Sequence, residues 1–283
     1  MAMPNKKQTQ PVDLSTVRNV LVSALCDAMY YNESGHPFGD EIKTCAQELV
    51  DYMLSEDEDV PLIKSDGNVK VAVKMGLSRT IALFEDSMKL LPSSSYSTTE
   101  ATTLQYLSDV DWVCDMCPKL GLMEDFILRW GEVSKRVLII IGDNNLGSVF
   151  WDLKLKLIII AGKVLDAVGY GTVIFPADYR VNLLKMWLPY LRKMKPLLDA
   201  KGYPYAMNEE LCESIEGAIV SLVLALPSND QADILADWMS RERIGTYPDL
   251  SNAFEIWCYR AKSAKRRLLE GPETLSDSSQ STS

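Results

Sequence analysis

The sequence contains few residues whose type and spacing could support catalysis. His36 is the one histidine of the chain, and it lies in the turn-forming segment Gly35-His36-Pro37. A hydrolytic triad or a Cys–His pair would need this imidazole as its base, and no nucleophile motif surrounds any serine or cysteine. We therefore expect His36 to be a loop residue and the protein not to be an enzyme.

Two cysteines have a spacing that could bind a metal ion or undergo redox chemistry. Cys114 and Cys117 form a Cys-X-X-Cys pair, which is half of a typical zinc site. The remaining cysteines lie singly in apolar helical patterns, and the pair lacks the neighbouring strand of a redox motif. We expect buried thiols at both positions, with no metal ion and no cofactor.

Two further patterns resemble ligand-binding loops only in part. The segment Gly169-Tyr170-Gly171 follows a helical pattern rather than a strand, and it lacks the third glycine of a dinucleotide-binding loop. The acidic run from Glu56 to Asp59 lacks the spacing and the glycine of a calcium loop. We expect a helix end at the first and a solvated turn at the second.

One basic cluster stands out in an acidic chain of net charge −10. It consists of Arg260, Lys262, Lys265, Arg266 and Arg267. Such a cluster is typical of a nuclear-import signal or of a contact for an acidic partner. The alternative is a cationic last helical turn that complements the negative end of the helix dipole. The overall negative charge disfavours general binding to nucleic acid or to an anionic membrane, since both are polyanions.

Apolar residues recur at steps of three and four along most of the chain, as on the buried face of a helix. One such series is Val149, Leu153, Leu157, Ile160, Val164 and Val168. The predicted fold class is all-α, a multi-helix bundle or an irregular α-solenoid of about ten helices. Residues 137–157 also permit a β-hairpin, because isoleucine runs favour strands, but the length of the helical pattern favours a helix.

Prolines and polar residues predict where individual helices end. Pro189 should kink or restart its helix and Pro196 should end or redirect it, because proline lacks a donor and clashes with the preceding turn. Ser228 and Gln231 have the spacing of a capping box. In the last third of the chain, Trp238, Trp257 and Tyr259 are expected to anchor helix packing.

The length and the composition indicate about two domains. Residues 1–12 are expected to be a disordered tail, 13–141 an N-terminal helical region, 148–268 a C-terminal helical region and 271–283 a second disordered tail. No apolar signal-peptide core follows the N-terminus, and no apolar run reaches the about 20 residues of a membrane span. We expect the protein in the cytoplasm, the nucleus or both.

Several long segments resemble the region that follows the BTB domain in plant BTB/POZ-domain proteins. They are residues 34–40, 162–171, 187–198, 225–232 and 254–260. The resemblance runs from about Asp13 to Leu268 and implies the helical part of a presumed substrate adaptor for cullin-RING ubiquitin ligases. In that family type the BTB domain docks the cullin and dimerises, and the remaining region is thought to engage the target.

The resemblance implies a helical protein-interaction module that takes part in protein ubiquitination. Its partners would be proteins, including a cullin-RING ligase reached through a BTB-containing paralogue, and not nucleic acid or membrane. The BTB domain itself is expected to be absent, because only a short polar stretch precedes the first predicted helix. The alternative function is a stand-alone helical scaffold or regulator without a ligase link, which the basic cluster would direct to the nucleus.

Overall fold

The computed structural model describes residues 13–30, 39–54, 67–91, 96–142, 150–240 and 247–270. Within these ranges the regular structure consists of ten α-helices and no strand. The predicted all-α class is confirmed, and the β-hairpin alternative for residues 137–157 is wrong. The helices are α1 Leu14–Tyr30, α2 Gly39–Leu54, α3 Gly67–Leu90, α4 Tyr96–Leu120, α5 Met123–Ile141, α6 Trp151–Gly169, α7 Ala177–Lys201, α8 Glu209–Leu224, α9 Ser228–Ser240 and α10 Ser251–Glu270.

The chain divides into two compact units, residues 1–160 and 161–283. The division falls inside α6, whereas the sequence-based regions meet between residues 141 and 148, and those regions stay a prediction. In the first unit, α3 packs against α1, α4 and α5. Its core contains an aromatic stack in which Trp130 lies 6.0 Å from Phe84 and 6.2 Å from Phe126, measured between ring centroids. Large apolar groups of this kind dominate the energetics of a core.

The first unit also buries charged side chains. Lys43 of α2 forms an ion pair with Asp109 of α4, and Gln105 donates to the same carboxylate at 3.1 Å. Lys154 is almost fully buried, with its Nζ 4.6 Å from the centroid of the Trp151 ring. Because a buried charge without a partner is costly, the Lys43–Asp109 pair constrains how α2 meets α4. The contact between Lys154 and Trp151 lies within α6 itself.

Helix α7 runs unbroken through both of its prolines, so the predicted end at Pro196 and the predicted new start at Pro189 are wrong, whereas a kink or change of direction at either proline stays a prediction. Pro189 and Pro196 both lie on its exposed face, where water can satisfy the carbonyl groups that each proline leaves open. Leu184, Leu191 and Leu198 are buried along the opposite face. Burial of that face along the whole helix offsets the lost hydrogen bonds.

Helices α6 and α8 approach closely at glycine positions in the second unit. A Cβ atom on Gly169 would lie 2.5 Å from the carbonyl oxygen of Ala218, and one on Gly162 would lie 3.0 Å from Cγ1 of Ile215. The hydroxyl of Ser221 donates to the carbonyl oxygen of Gly169 at 2.7 Å. Gly169 is the last residue of α6, as predicted.

Candidate protein-interaction surface

The C-terminal end of α8 is closed by side chains from three other helices. A helix end leaves carbonyl groups without intrahelical partners. Arg180 of α7 donates to the carbonyl oxygen of Ala225 at 3.0 Å, and Gln231 of α9 donates to that of Leu226 at 2.6 Å. Arg260 of α10 donates to the carbonyl oxygen of Leu224 at 3.1 Å. The corner between α8 and α9 is therefore fixed by side chains from α7, α9 and α10.

The capping-box prediction is wrong at Gln231. Its side-chain Nε2 faces the carbonyl oxygens of Leu224 and Leu226 instead of leaving the side chain to accept from the backbone N–H of Ser228. Gln231 is buried, and buried carbonyl groups at a helix end need a donor more than an N–H near the surface needs an acceptor. The α8 end therefore determines where this side chain points.

Two tryptophans join α10 to the start and the end of α9. The indole Nε1 of Trp257 donates to the carbonyl oxygen of Ser228 at 3.2 Å, and that of Trp238 donates to the carbonyl oxygen of Pro248 at 3.2 Å. The predicted packing role is confirmed for both. It is wrong for Tyr259, which is 73% exposed and lies on the outer side of α10.

An apolar groove of about 460 Å³ lies between α9 and α10. Its aromatic wall is the stacked pair Phe254 and Trp257, whose ring centroids are 6.3 Å apart. The facing wall belongs to α9, and Met239 is half exposed there. The lining residues are Ala232, Leu235, Ala236, Met239, Ser240, Phe254 and Trp257. A concave, mainly apolar site of this size is suited to binding a few side chains of a ligand.

The basic cluster lies on α10 beside this groove, and its five residues are all exposed. Arg260 differs from the rest because it bonds to the end of α8. Leu268 and Leu269 follow the cluster and are 84% and 78% exposed. The end of α10 therefore presents cationic and apolar side chains together to the solvent.

A second groove, of about 490 Å³, lies between α7 and α9 and has a different electrostatic character. Asp233 and Asp237 of α9 line it, together with Lys185 of α7. Asp237 also pairs with Arg192 of α7 at 3.3 Å. The two sides of α9 thus differ, since the side toward α10 is apolar and the side toward α7 carries carboxylates.

The residues singled out for chemistry do not converge on a site in the described part of the chain. Cys114 and Cys117 are buried, and burial raises the pKa of the Cys117 thiol to about 12, so that it stays protonated at neutral pH. Zinc needs the thiolate form. The described residues hold no group of three side chains suited to a metal ion. His36, the acidic run from Glu56 to Asp59 and the two predicted tails lie outside the described residues.

None of the described helices combines the length and the apolar character needed to cross a bilayer. The Gly169-Tyr170-Gly171 segment follows the predicted course, since Gly169 ends α6 and Gly171 has a positive φ of 79°. Such a φ favours glycine at a helix terminus. This segment is a helix end within the second unit.

Sequence reasoning missed the groove itself and the closure of α8 by Arg180 and Gln231. The residues of the groove fit the helical pattern like those of any buried stripe, so periodicity alone does not separate them from the core. One signal was present, because the apolar positions of α10 continue to Leu268 beyond the length that α9 can cover. An apolar stripe longer than its neighbouring helix indicates a surface that remains open.

Known proteins share sequence similarity with most of this all-α chain. A family model described as BTB/POZ Ankyrin-like repeat matches residues 45–264. The chain belongs to this family. The predicted resemblance to plant BTB/POZ proteins is thereby confirmed, and the membership indicates a protein-interaction module.

Two relatives from Arabidopsis thaliana are BTB/POZ domain-containing proteins. BTB/POZ domain-containing protein At3g05675 is 36% identical over 280 residues, which cover 94% of this chain and 62% of the relative. BTB/POZ domain-containing protein At3g50780 is 25% identical over 172 residues, or 57% of this chain and 30% of the relative. The chain thus spans less than two thirds of the length of either relative. No solved structure gives a significant match.

Proposed function

We propose that this BTB/POZ-family chain is a helical region that holds target proteins for ubiquitination by a cullin-RING ligase. The observation that carries the proposal is the open apolar groove between α9 and α10, placed beside exposed cations in a chain of this family. No histidine or cysteine is among the residues that line it. A surface of this kind binds without bond-making, which is what an adaptor requires.

The groove supplies the two ingredients of a recognition surface. Phe254, Trp257 and Leu235 offer apolar contact area, and aromatic residues are frequent anchors of binding energy at protein interfaces. The exposed cations of α10 offer charge at the rim, where complementarity acts mainly on specificity and on the rate of encounter. A target would therefore be selected by both shape and charge.

The test is co-purification of the ligase from plant cells. The tagged full chain is expressed and captured, and cullin and BTB-containing proteins are quantified against a tag-only control. We expect cullin to be enriched, either directly or through a BTB-containing paralogue, together with ubiquitinated proteins. Recovery of neither cullin nor a BTB-containing paralogue would refute the adaptor role.

The alternative is a stand-alone helical scaffold or regulator that works in the nucleus. Exposure of Lys262, Lys265, Arg266 and Arg267 on α10 favours it, because an import receptor needs accessible cations. A fluorescent reporter fused to residues 255–270 tests this candidate. Nuclear accumulation that is lost on changing the last three cations to alanine supports it, and a purely cytosolic signal removes it.

A further inference from the structure

We infer that the α9–α10 groove and the exposed end of α10 form one continuous docking site for an acidic amphipathic helix of a partner protein. The inference rests on the proposed function only in that both require the chain to hold another protein. It adds the chemistry of the occupant and the direction in which the occupant lies.

The hydrogen bonds at both ends of the α9–α10 pair show how the two helices run relative to each other. Trp238, near the end of α9, bonds to Pro248 just before α10, and Trp257 of α10 bonds to Ser228 at the start of α9. The two helices are therefore antiparallel. Because α9 begins at Ser228, the part of α10 beyond Arg260 continues past it for about 15 Å, at 1.5 Å per residue.

An apolar seam runs along α10 and extends beyond α9, the helix that covers its first part. Its positions are 250, 254, 257, 261, 264 and 268, which alternate in steps of four and three as in helices that pack side by side. Leu250 is fully buried and Phe254 and Trp257 are half-buried. Ala264 is exposed and Leu268 is 84% exposed. The same face thus changes from covered to open, which leaves room for a second helix in line with the groove.

The charge beside the open part of the seam specifies the occupant. From residue 260 to residue 269 the helix carries the five basic residues of the cluster and no acid. Among the described residues, no carboxylate forms an ion pair with Lys262, Lys265, Arg266 or Arg267. A helix lying there would need acidic side chains on its flanks to complement these cations.

A second copy that docks through its own α10 fits this surface poorly, because it would bring the same cations against one another. Like charges that face each other across an interface are destabilising. An anionic bilayer fits poorly as well, since a flat surface reaches the exposed leucines but not the side chains within a groove between two helices. An acidic amphipathic helix would place apolar side chains in the groove and along the seam, and its carboxylates would pair with the cations. This is the helix-in-groove mode of recognition.

The test uses a fluorescein-labelled helical peptide of about 18 residues, long enough for about 27 Å of helix. It carries leucine at alternating steps of three and four and glutamate at most other positions, and the control peptide carries lysine in place of glutamate. Binding to the full chain is measured by fluorescence anisotropy. We expect the glutamate peptide to bind at least about tenfold more tightly than the lysine peptide.

Two pairs of substitutions with equal charge change separate a specific site from general attraction. Lys265→Glu with Arg266→Glu should weaken binding of the glutamate peptide about tenfold or more, and Leu268→Ala should weaken it about fivefold. Lys135→Glu with Lys193→Glu, on α5 and α7, should leave the affinity within about twofold. All five side chains are exposed, so the fold should persist, and circular dichroism verifies the helix content.

Four outcomes would overturn the inference. They are absence of binding by the glutamate peptide, equal loss in both charge-reversed pairs, dimerisation that depends on Lys265 and Arg266 in sedimentation, and capture by phosphatidylserine vesicles in place of the peptide. The ligase test keeps this inference separate from the proposed function. If Lys265→Glu with Arg266→Glu still co-purifies cullin but the wild-type chain fails to bind peptide, only the present inference fails. If the peptide binds and neither cullin nor a BTB-containing paralogue is recovered, only the ligase role fails.

Discussion

The indole Nε1 of Trp257 donates a hydrogen bond to the carbonyl oxygen of Ser228 across 3.2 Å. This contact ties the middle of α10 to the first residue of α9, next to the bond between Arg260 and Leu224. Trp257, which lines the groove, and Arg260, which bonds to the end of α8, therefore anchor the same part of α10. Changes at Trp257 should affect the position of α10 before they affect the rest of the second unit.

Trp257→Phe tests this attachment. The phenyl ring keeps most of the apolar contact with Phe254 but removes the indole donor, so we expect the free energy of unfolding to fall by about 1 kcal/mol. Urea denaturation followed by circular dichroism measures the change. Tyr259→Phe is the control, since its exposed side chain should give no measurable effect. Equal losses in the two variants would argue against a role for the hydrogen bond.

Gly169→Ala should destabilise the crossing of α6 and α8. The new Cβ atom would lie 2.5 Å from the backbone oxygen of Ala218, and a packed backbone cannot yield without shifting a helix, at a cost of about 1–3 kcal/mol. The melting temperature reports the loss.

Gly217→Ala is the matched control for that crossing, because it adds the same methyl group within the same pair of elements. Its Cβ would meet only the end of the Tyr170 side chain, with the hydroxyl oxygen at 2.5 Å and Cζ at 3.8 Å, and this exposed side chain can move aside. Alanine also favours the helix over glycine by about 1 kcal/mol. We expect unchanged or raised stability, and a loss as large as that of Gly169→Ala would contradict the close backbone contact.

Lys43→Met should cost about 3 kcal/mol or more, because it leaves the buried carboxylate of Asp109 without its cation. Adding Asp109→Asn should restore part of the loss by removing the charge. Lys119→Met provides the comparison, since its pair with Asp51 is exposed on both sides and should contribute less than about 1 kcal/mol. Chemical denaturation measures the loss in free energy of unfolding for the three variants. A greater loss for Lys119→Met than for Lys43→Met would contradict the larger contribution of the buried pair.

Tyr190→Phe should not weaken the protein. The hydroxyl is buried, it has no hydrogen-bond partner among the described residues, and burial raises its pKa. Removing an unsatisfied buried group should leave stability unchanged or raise it by about 1 kcal/mol, while the edge contact with Trp187 remains. Tyr247→Phe should instead lower the free energy of unfolding by about 1 kcal/mol, because the hydroxyl of Tyr247 donates to the backbone carbonyl oxygen of Cys212 at 3.0 Å. Thermal melts that show equal losses would refute the distinction.

Glu85 should make the first unit sensitive to acid. Hydrogen bonds from the Arg136 guanidinium, at 2.6 and 3.0 Å, lower the pKa of its carboxyl group. The folded-state pKa lies below the unfolded value of about 4.3. The stabilisation is therefore complete above that value and is lost as the pH falls through the folded-state pKa.

Glu85→Gln should lower stability at pH 7 by about 0.5–1 kcal/mol and flatten the decline in acid. Urea titrations at several pH values between 7 and 3 measure both effects. Glu124→Gln, on the exposed side of α5, is the control and should preserve the decline. A Glu85→Gln profile that stays parallel to that of the wild type would show that this pair does not contribute.

The helices could be predicted from the sequence because each of them buries one side, and the spacing of apolar residues records this directly. Pro196 was misjudged because the rule for proline describes an isolated helix, whereas α7 is held by the burial of Leu191 and Leu198. Gln231 was misjudged because its partners belong to the preceding helix. The groove depends on where α9 starts relative to α10, and that offset arises from tertiary contacts that no local pattern contains.

The hydrogen bonds that join α8, α9 and α10 all close over short stretches of chain, between 5 and 36 residues apart. Bonds that close over a few tens of residues form faster than bonds across the whole chain, because less chain entropy is lost before they form. The three terminal helices should consequently re-form quickly after a transient opening. A partner would then meet a surface that restores its shape between encounters, and hydrogen exchange there should be governed by brief local fluctuations rather than by unfolding of the whole molecule.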